Sequence, residues 1–227
     1  MRATEQGLNS VFSRLLGAYG EQHWWPAESR FEMILGAILT QNTSWTNAEA
    51  ALANLRRANL LDADALVGVD APQLAEFLRP SGYFNQKAKC IAFLSNWYRQ
   101  QGGFSTLQNF TTRELRAVLL LLKGIGPETA DAILLYAFER PVFVIDAYTR
   151  RIFSRLGMVE PDQSYASLQE WFVSNLVAEA PFFNEYHALI VRHAKETCTK
   201  KCPLCEHCCL GELCSNYQID QAVSAQG

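Results

Sequence analysis

Apolar residues in this chain recur, over most of its length, at the spacing of one helical face. Phe31, Ile34, Leu35, Ile38 and Leu39 fall at i, i+3, i+4, i+7 and i+8, which places them on one stripe of an amphipathic helix. Ser29, with Glu32 three residues on, reads as a capping box at its start. Thr111 and Glu114 repeat that signature ahead of Leu115, Val118, Leu119 and Leu122. A third stripe, Ala130, Ile133, Leu134 and Ala137, follows Pro127, a residue suited to the first helical position because its missing N–H has no partner there. Shorter stripes lie at Tyr148, Ile152 and Phe153, and at Tyr186, Leu189 and Ile190. Only the four residues Val142 to Ile145 have strand character, and four residues make no sheet. The expected fold class is all-α.

The chain has 227 residues, of which 49% are hydrophobic and 19% charged, enough apolar material for a packed core and too little charge for disorder. The longest aliphatic run, Ala117 to Leu122, is far short of the roughly 20 residues that span a bilayer. The start, Met1 to Gln6, has no basic-then-apolar pattern, so the expected location is cytoplasmic. A formal net charge of −3 gives no overall attraction to a polyanion, so a DNA-binding face must concentrate its lysines and arginines locally. Helical patterning breaks at Glu21 to Glu28 and at Arg140-Pro141, with no flexible linker. Two directly packed lobes are expected: residues 29–140 as a helical bundle, and residues 1–28 with 141–227 as a second helical lobe, with a binding cleft between them.

Six of the seven cysteines lie between Cys198 and Cys214. A secreted disulfide framework would distribute them to staple distant loops, so this clustering points to metal ligation in a reducing compartment. Cys198, Cys205, Cys208 and Cys214 are spaced C-x6-C-x2-C-x5-C, while Cys202 and Cys209 fall outside that pattern. On spacing alone a four-thiolate zinc site and a [4Fe–4S] cluster both remain open.

Leu122-Lys123-Gly124-Ile125-Gly126-Pro127-Glu128-Thr129-Ala130 joins two helical stripes through a turn. Gly124 and Gly126 would allow positive φ and close backbone approach. The open N–H groups beginning the next helix suit a phosphate oxygen, and Lys123 could add a charged contact. Read in isolation, a G-x-G turn is most often a plain helix–helix connection. Here it is followed by Val142 to Arg151, with Asp146 ahead of a further helical stripe. Together these motifs resemble the endonuclease III superfamily of DNA glycosylases: a helix–hairpin–helix, a Gly/Pro-rich connection with an essential aspartate, and a compact cysteine loop. The likeness runs from about Phe31 to Cys214.

That resemblance implies a two-lobed helix–hairpin–helix fold and an enzyme of base excision repair that acts as a monomer on double-stranded DNA with a damaged base, without a membrane partner. It implies Asp146 as the catalytic carboxylate, a role compatible with its use as an N-cap. It implies a [4Fe–4S] cluster on Cys198, Cys205, Cys208 and Cys214 in the loop 198–214. Lys123, Gly124, Ile125, Gly126 and Thr129 become candidate DNA contacts, and Gln41 and Asn42 match residues that fill the gap left by a flipped base, although a turn at a helix end is an equally good account of them. Strand-cutting members carry a hairpin lysine that forms an imine with C1′; the matching position here is Glu128, which cannot do so. A monofunctional enzyme leaving an abasic site is therefore expected. Trp24-Trp25-Pro26 and Trp45 resemble the base pocket of the 3-methyladenine DNA glycosylase III branch, in which indoles would hold a cationic alkylated purine by cation–π attraction, although paired tryptophans also serve as core anchors. That branch has members without a cluster, so the sequence joins features of two subgroups. The alternatives are a glycosylase for oxidised or mismatched pyrimidines, or a non-catalytic protein binding damaged DNA.

Overall fold

A computed structural model describes residues 2–24 and 27–224 of the chain. Among the described residues every regular element is a helix and no strand forms. In order these are α1 (Arg2–Tyr19), α2 (Arg30–Leu39), α3 (Trp45–Arg57), α4 (Ala71–Leu78), α5 (Phe84–Gln100), α6 (Gly103–Leu107), α7 (Thr112–Leu120), α8 (Pro127–Ala132), α9 (Ala147–Arg155), α10 (Tyr165–Asn175), α11 (Ala180–Glu196) and α12 (Ser215–Ser224). Helix α8 runs on into a π-helical turn, Ile133–Ala137. The chain forms two compact units, one of Met1–Trp24 with Pro141–Gly227 and one of Trp25–Arg140. No helix among the described residues is long and apolar enough to cross a membrane.

In the unit Trp25–Arg140, α2 packs against α3, α5 and α8. Its apolar stripe understates its burial: Gly36 and Ala37, off the stripe, are buried too. Small side chains let neighbouring helices close over faces that periodicity leaves blank. The Thr111 capping box forms in full, with the Glu114 amide donating to Thr111 Oγ1 at 3.2 Å and the Thr111 amide donating to Glu114 Oε2 at 2.8 Å. At α2 only half of the expected box forms. Ser29 Oγ accepts from the Glu32 amide at 3.1 Å, but the buried Glu32 carboxylate takes the Glu28 amide at 2.9 Å and the Arg56 guanidinium. A buried carboxylate gains more from a cationic partner than from one further amide.

Lys87 on α5 is 2% exposed and secures the end of α2. Its ammonium donates to the carbonyls of Leu39 at 2.9 Å and Ser81 at 2.7 Å, joining the last turn of α2 to the Arg79–Ser81 turn. Burial disfavours the charge and pulls its pKa down to about 8 from 10.5. Between those values the unfolded chain holds the proton that the folded chain has lost, so stability should rise with pH across that window. Urea unfolding at either end of the window, with Lys87→Met as reference, checks this: the wild type gains relative to the variant, and parallel behaviour would contradict it.

The other unit is built around Phe143, Phe153, Phe172, Phe183 and Tyr186, all fully buried. Phe143 stacks on Phe172 with ring centroids 4.1 Å apart and meets Phe183 and Tyr186 edge-on. The strand-like segment Val142 to Ile145 is buried throughout without a strand partner. Its backbone is held instead by side chains, Gln169 Nε2 donating to the Phe143 carbonyl at 2.7 Å. This aromatic anchor ends one residue before Asp146 and so fixes where α9 begins.

Candidate active site

The hairpin is α7, the turn Leu121–Gly126 and α8. Its helices are tied by a bidentate pair in which Arg116 Nε and Nη2 lie 2.6 and 3.0 Å from the Asp131 carboxylate, which is fully buried. Gly124 has φ +96, and a Cβ there would lie 3.0 Å from Cys90 Sγ and 3.2 Å from its Cβ. Conformation therefore favours glycine, and a Cβ would press against the Cys90 side chain. Of the two glycines that permit positive φ only Gly124 adopts it: Gly126 has φ −95 and ψ 179, extended backbone open to any residue, and serves as N-cap of α8. Gly124→Ala should therefore cost about 1–3 kcal/mol in urea unfolding, while Gly126→Ala should cost about 1 kcal/mol or less. Equal losses would contradict the distinction.

Lys123, Gly124, Gly126 and Glu128 are exposed on this turn, whereas the side chains of Ile125 and Thr129 are buried. Ile125 also gives its N–H to the Leu122 carbonyl at 3.0 Å, so it anchors the turn from inside. Gln41 braces the same turn: its side-chain amide donates to the Gly124 carbonyl and to Thr129 Oγ1, both at 2.9 Å. The exposed tip of the α2–α3 connection is Asn42, in the left-handed region at φ 51.

Asp146 is the N-cap of α9. Its Oδ1 accepts from the Thr149 amide at 2.7 Å and the Thr149 hydroxyl at 2.9 Å. Its Oδ2 faces His187 Nε2 on α11 at 3.5 Å, and 13% of the Asp146 side chain remains exposed. Burial alone would raise its pKa; hydrogen bonding and charge from His187, with the Thr149 donors, outweigh that and hold the carboxyl below the usual range. The group is thus an anion at neutral pH, aimed by two neighbours and still open to solvent on one side. Nothing in the sequence marks His187, because a histidine beside the apolar stripe Tyr186, Leu189, Ile190 carries no spacing signal linking it to a residue 41 positions earlier.

Trp24 and Trp45 are half-buried, Trp45 opening α3 behind the Ser44 cap. Trp25 and Pro26, named with them as pocket residues, lie outside the described residues.

Cys198, Cys205, Cys208 and Cys214 line one cavity, together with Arg155, Leu204 and Tyr217; Cys202 and Cys209 are not among its lining. No cysteine forms a disulfide. Arg151 and Arg155 on α9 hold this loop by its backbone. Arg151 Nε donates to the Cys198 carbonyl at 2.9 Å and Arg155 Nη1 to the Thr199 carbonyl at 2.8 Å. Arg155 Nη1 also lies 3.2 Å from Cys198 Sγ, a charged donor directed at the sulfur. Among the described residues no three His, Cys, Asp or Glu side chains converge tightly enough for a single ion. Four cysteine side chains lining one cavity are a donor set of the kind that holds a [4Fe–4S] cluster.

Residues 35–175 match the family of HhH-GPD superfamily base excision DNA repair proteins. The chain belongs to that family. It is therefore a DNA glycosylase of base excision repair, and a DNA-binding protein. It is 45% identical to a DNA repair glycosylase candidate of Methanocaldococcus jannaschii, covering 91% of this chain and 95% of that one. It is 29% identical to endonuclease III of Sulfolobus acidocaldarius over 82% of each chain. Among solved structures, the H. pylori 3-methyladenine DNA glycosylase (MagIII) bound to 1,N6-ethenoadenine is 31% identical with a TM-score of 0.71, covering 85% of this glycosylase and 97% of that chain. A non-covalent endonuclease III–DNA complex is 18% identical with a TM-score of 0.82 over 96% and 98% of the two chains, and shows the shared fold.

Proposed function

We propose that this glycosylase is monofunctional and releases alkylated purines such as 3-methyladenine. The observation that carries the reading is Glu128, an exposed carboxylate in the first turn of α8 at the position where strand-cutting members of the family have an imine-forming lysine. The likeness to the alkyladenine enzyme of H. pylori supports the same substrate class. An N-alkylated purine bears positive charge, leaves readily without a general acid, and is attracted to indole faces by about 1–2 kcal/mol in a dry site. Trp24, Trp25 and Trp45 supply that chemistry.

Asp146 does the work at the sugar. As the N-glycosidic bond breaks, its electron pair leaves with the base and C1′ gains oxocarbenium character, which the Asp146 carboxylate stabilises. Water then adds to C1′ and gives up a proton, with Asp146 Oδ2 as acceptor. His187 is the positioning partner that keeps the carboxylate ionised and oriented. Lys123 and the amides opening α8 hold the phosphate backbone. The four cysteines lining one cavity are the ligands we assign to a [4Fe–4S] cluster, which binds the loop 198–214 together when present.

Glu128→Lys tests the monofunctional assignment. On alkylated duplex DNA with borohydride, wild type should give no covalent adduct, and the variant should gain a trapped imine. An adduct with wild-type protein would overturn the assignment.

A further inference from the structure

We infer that His193 donates a hydrogen bond to the cluster ligand Cys208, and that Tyr19 and Thr197 fix the ring tautomer that lets it do so. The inference rests on the cluster assignment above. His193, near the end of α11, is 1% exposed. Its Nε2 lies 3.6 Å from Cys208 Sγ, and its Nδ1 lies 2.8 Å from the Tyr19 hydroxyl. The same hydroxyl lies 2.8 Å from Thr197 Oγ1, and the Tyr19 ring meets the imidazole edge-on at 5.8 Å.

Proton counting gives this chain one direction. A ligating cysteine is a thiolate and can only accept, so Nε2 must carry the proton. With that proton on Nε2, the other nitrogen of a ring with a single N–H accepts, and the Tyr19 hydroxyl at 2.8 Å is the donor it faces. Tyr19 O–H therefore donates to Nδ1, and Thr197 O–H donates in turn to the Tyr19 oxygen. Reversing the Tyr19 hydroxyl would strand Nδ1 without a donor inside the protein, a loss comparable to a full hydrogen bond. The three residues come from α1, α11 and the residue just after it, so the relay is set by the packing of this unit.

The consequence lies in the electron balance of the cluster. One-electron reduction adds negative charge that is shared by the thiolates, and no proton moves. A fixed N–H donor at Cys208 stabilises the more negative state and raises the reduction potential. Cys198 receives its donor from Arg155; Cys208 receives one from an imidazole shielded from solvent. Neither histidine nor tyrosine belongs to the ligand spacing, and both act through Cys208, as positioning residues.

The test is a mediated redox titration of the full-length protein, purified anaerobically with its cluster and followed by visible absorbance and electron paramagnetic resonance. His193→Leu should move the midpoint to more negative potential, so that at the wild-type midpoint the reduced-to-oxidised ratio falls about tenfold. Tyr19→Phe keeps the ring and its packing while freeing the tautomer, and should shift the midpoint the same way by less. His193→Gln, which retains an N–H donor, should restore most of the wild-type value. If His193→Leu fails to assemble a cluster, Tyr19→Phe alone decides. Unchanged midpoints at full iron and sulfide content would overturn the role of His193. Wild-type protein free of iron and sulfide would overturn the cluster assignment itself, and this inference with it.

Discussion

Asp146→Asn is expected to slow release of an alkylated base by about a thousandfold while leaving the fold and DNA affinity close to wild type. Asparagine is as good an N-cap as aspartate, and its Oδ1 can keep the bonds from the Thr149 amide and hydroxyl. What disappears is the negative charge that meets the oxocarbenium-like sugar and takes the proton of the attacking water. Single-turnover assays read that step apart from product release, and binding to an uncleavable abasic analogue reads affinity. A split between the two, with rate lost and binding retained, marks a group that acts in the transition state. A rate within about tenfold of wild type would remove Asp146 from the centre of the chemistry. His187→Leu should reproduce part of the loss, since its contact at 3.5 Å helps hold the carboxyl below the usual pKa range.

Cys205→Ala should strip the protein of its cluster and lower the melting temperature by about 10 °C, the consequence of roughly 3–5 kcal/mol lost when a structural metal centre is removed from a domain of this size. The expectation comes from the shared cavity of Cys198, Cys205, Cys208 and Cys214. Without a cluster the loop keeps the arginine contacts from α9 but loses the bonds that the cluster would make between its thiols. Cys202→Ala and Cys209→Ala should retain colour, iron and stability, because neither side chain lines that cavity. Iron and sulfide analysis with thermal unfolding separates these outcomes. Loss of iron in Cys202→Ala, with retention in Cys205→Ala, would reassign the ligands.

Local signals in the sequence carry far, and stop where tertiary packing decides. Thr111 with Glu114, and Pro127 after Gly126, mark helix starts because capping depends only on residues three apart. Gly124 is legible as a turn glycine, yet its closest constraint, the Cys90 sulfur, comes from 34 positions away and leaves no local trace. Val142 to Ile145 has the composition of a strand because it is buried; that it pairs with no strand follows from its aromatic anchor and the Gln169 bond. The carboxylate Asp146 is readable from its place after the hairpin. Its partner His187, the Arg116 clamp on Asp131 and the His193 relay are not, since each joins elements that meet only in the folded unit. The π-helical turn Ile133–Ala137 also has no sequence mark, because its five buried apolar residues would suit an α-helix equally well.

The most direct test of the account is single-turnover base release by the purified protein on two duplexes, one carrying 3-methyladenine and the other thymine glycol. The expected result is free 3-methyladenine, an intact abasic strand, and no release from the thymine glycol duplex. Release from thymine glycol with strand cleavage, and none of 3-methyladenine, would contradict both the substrate class and the monofunctional assignment.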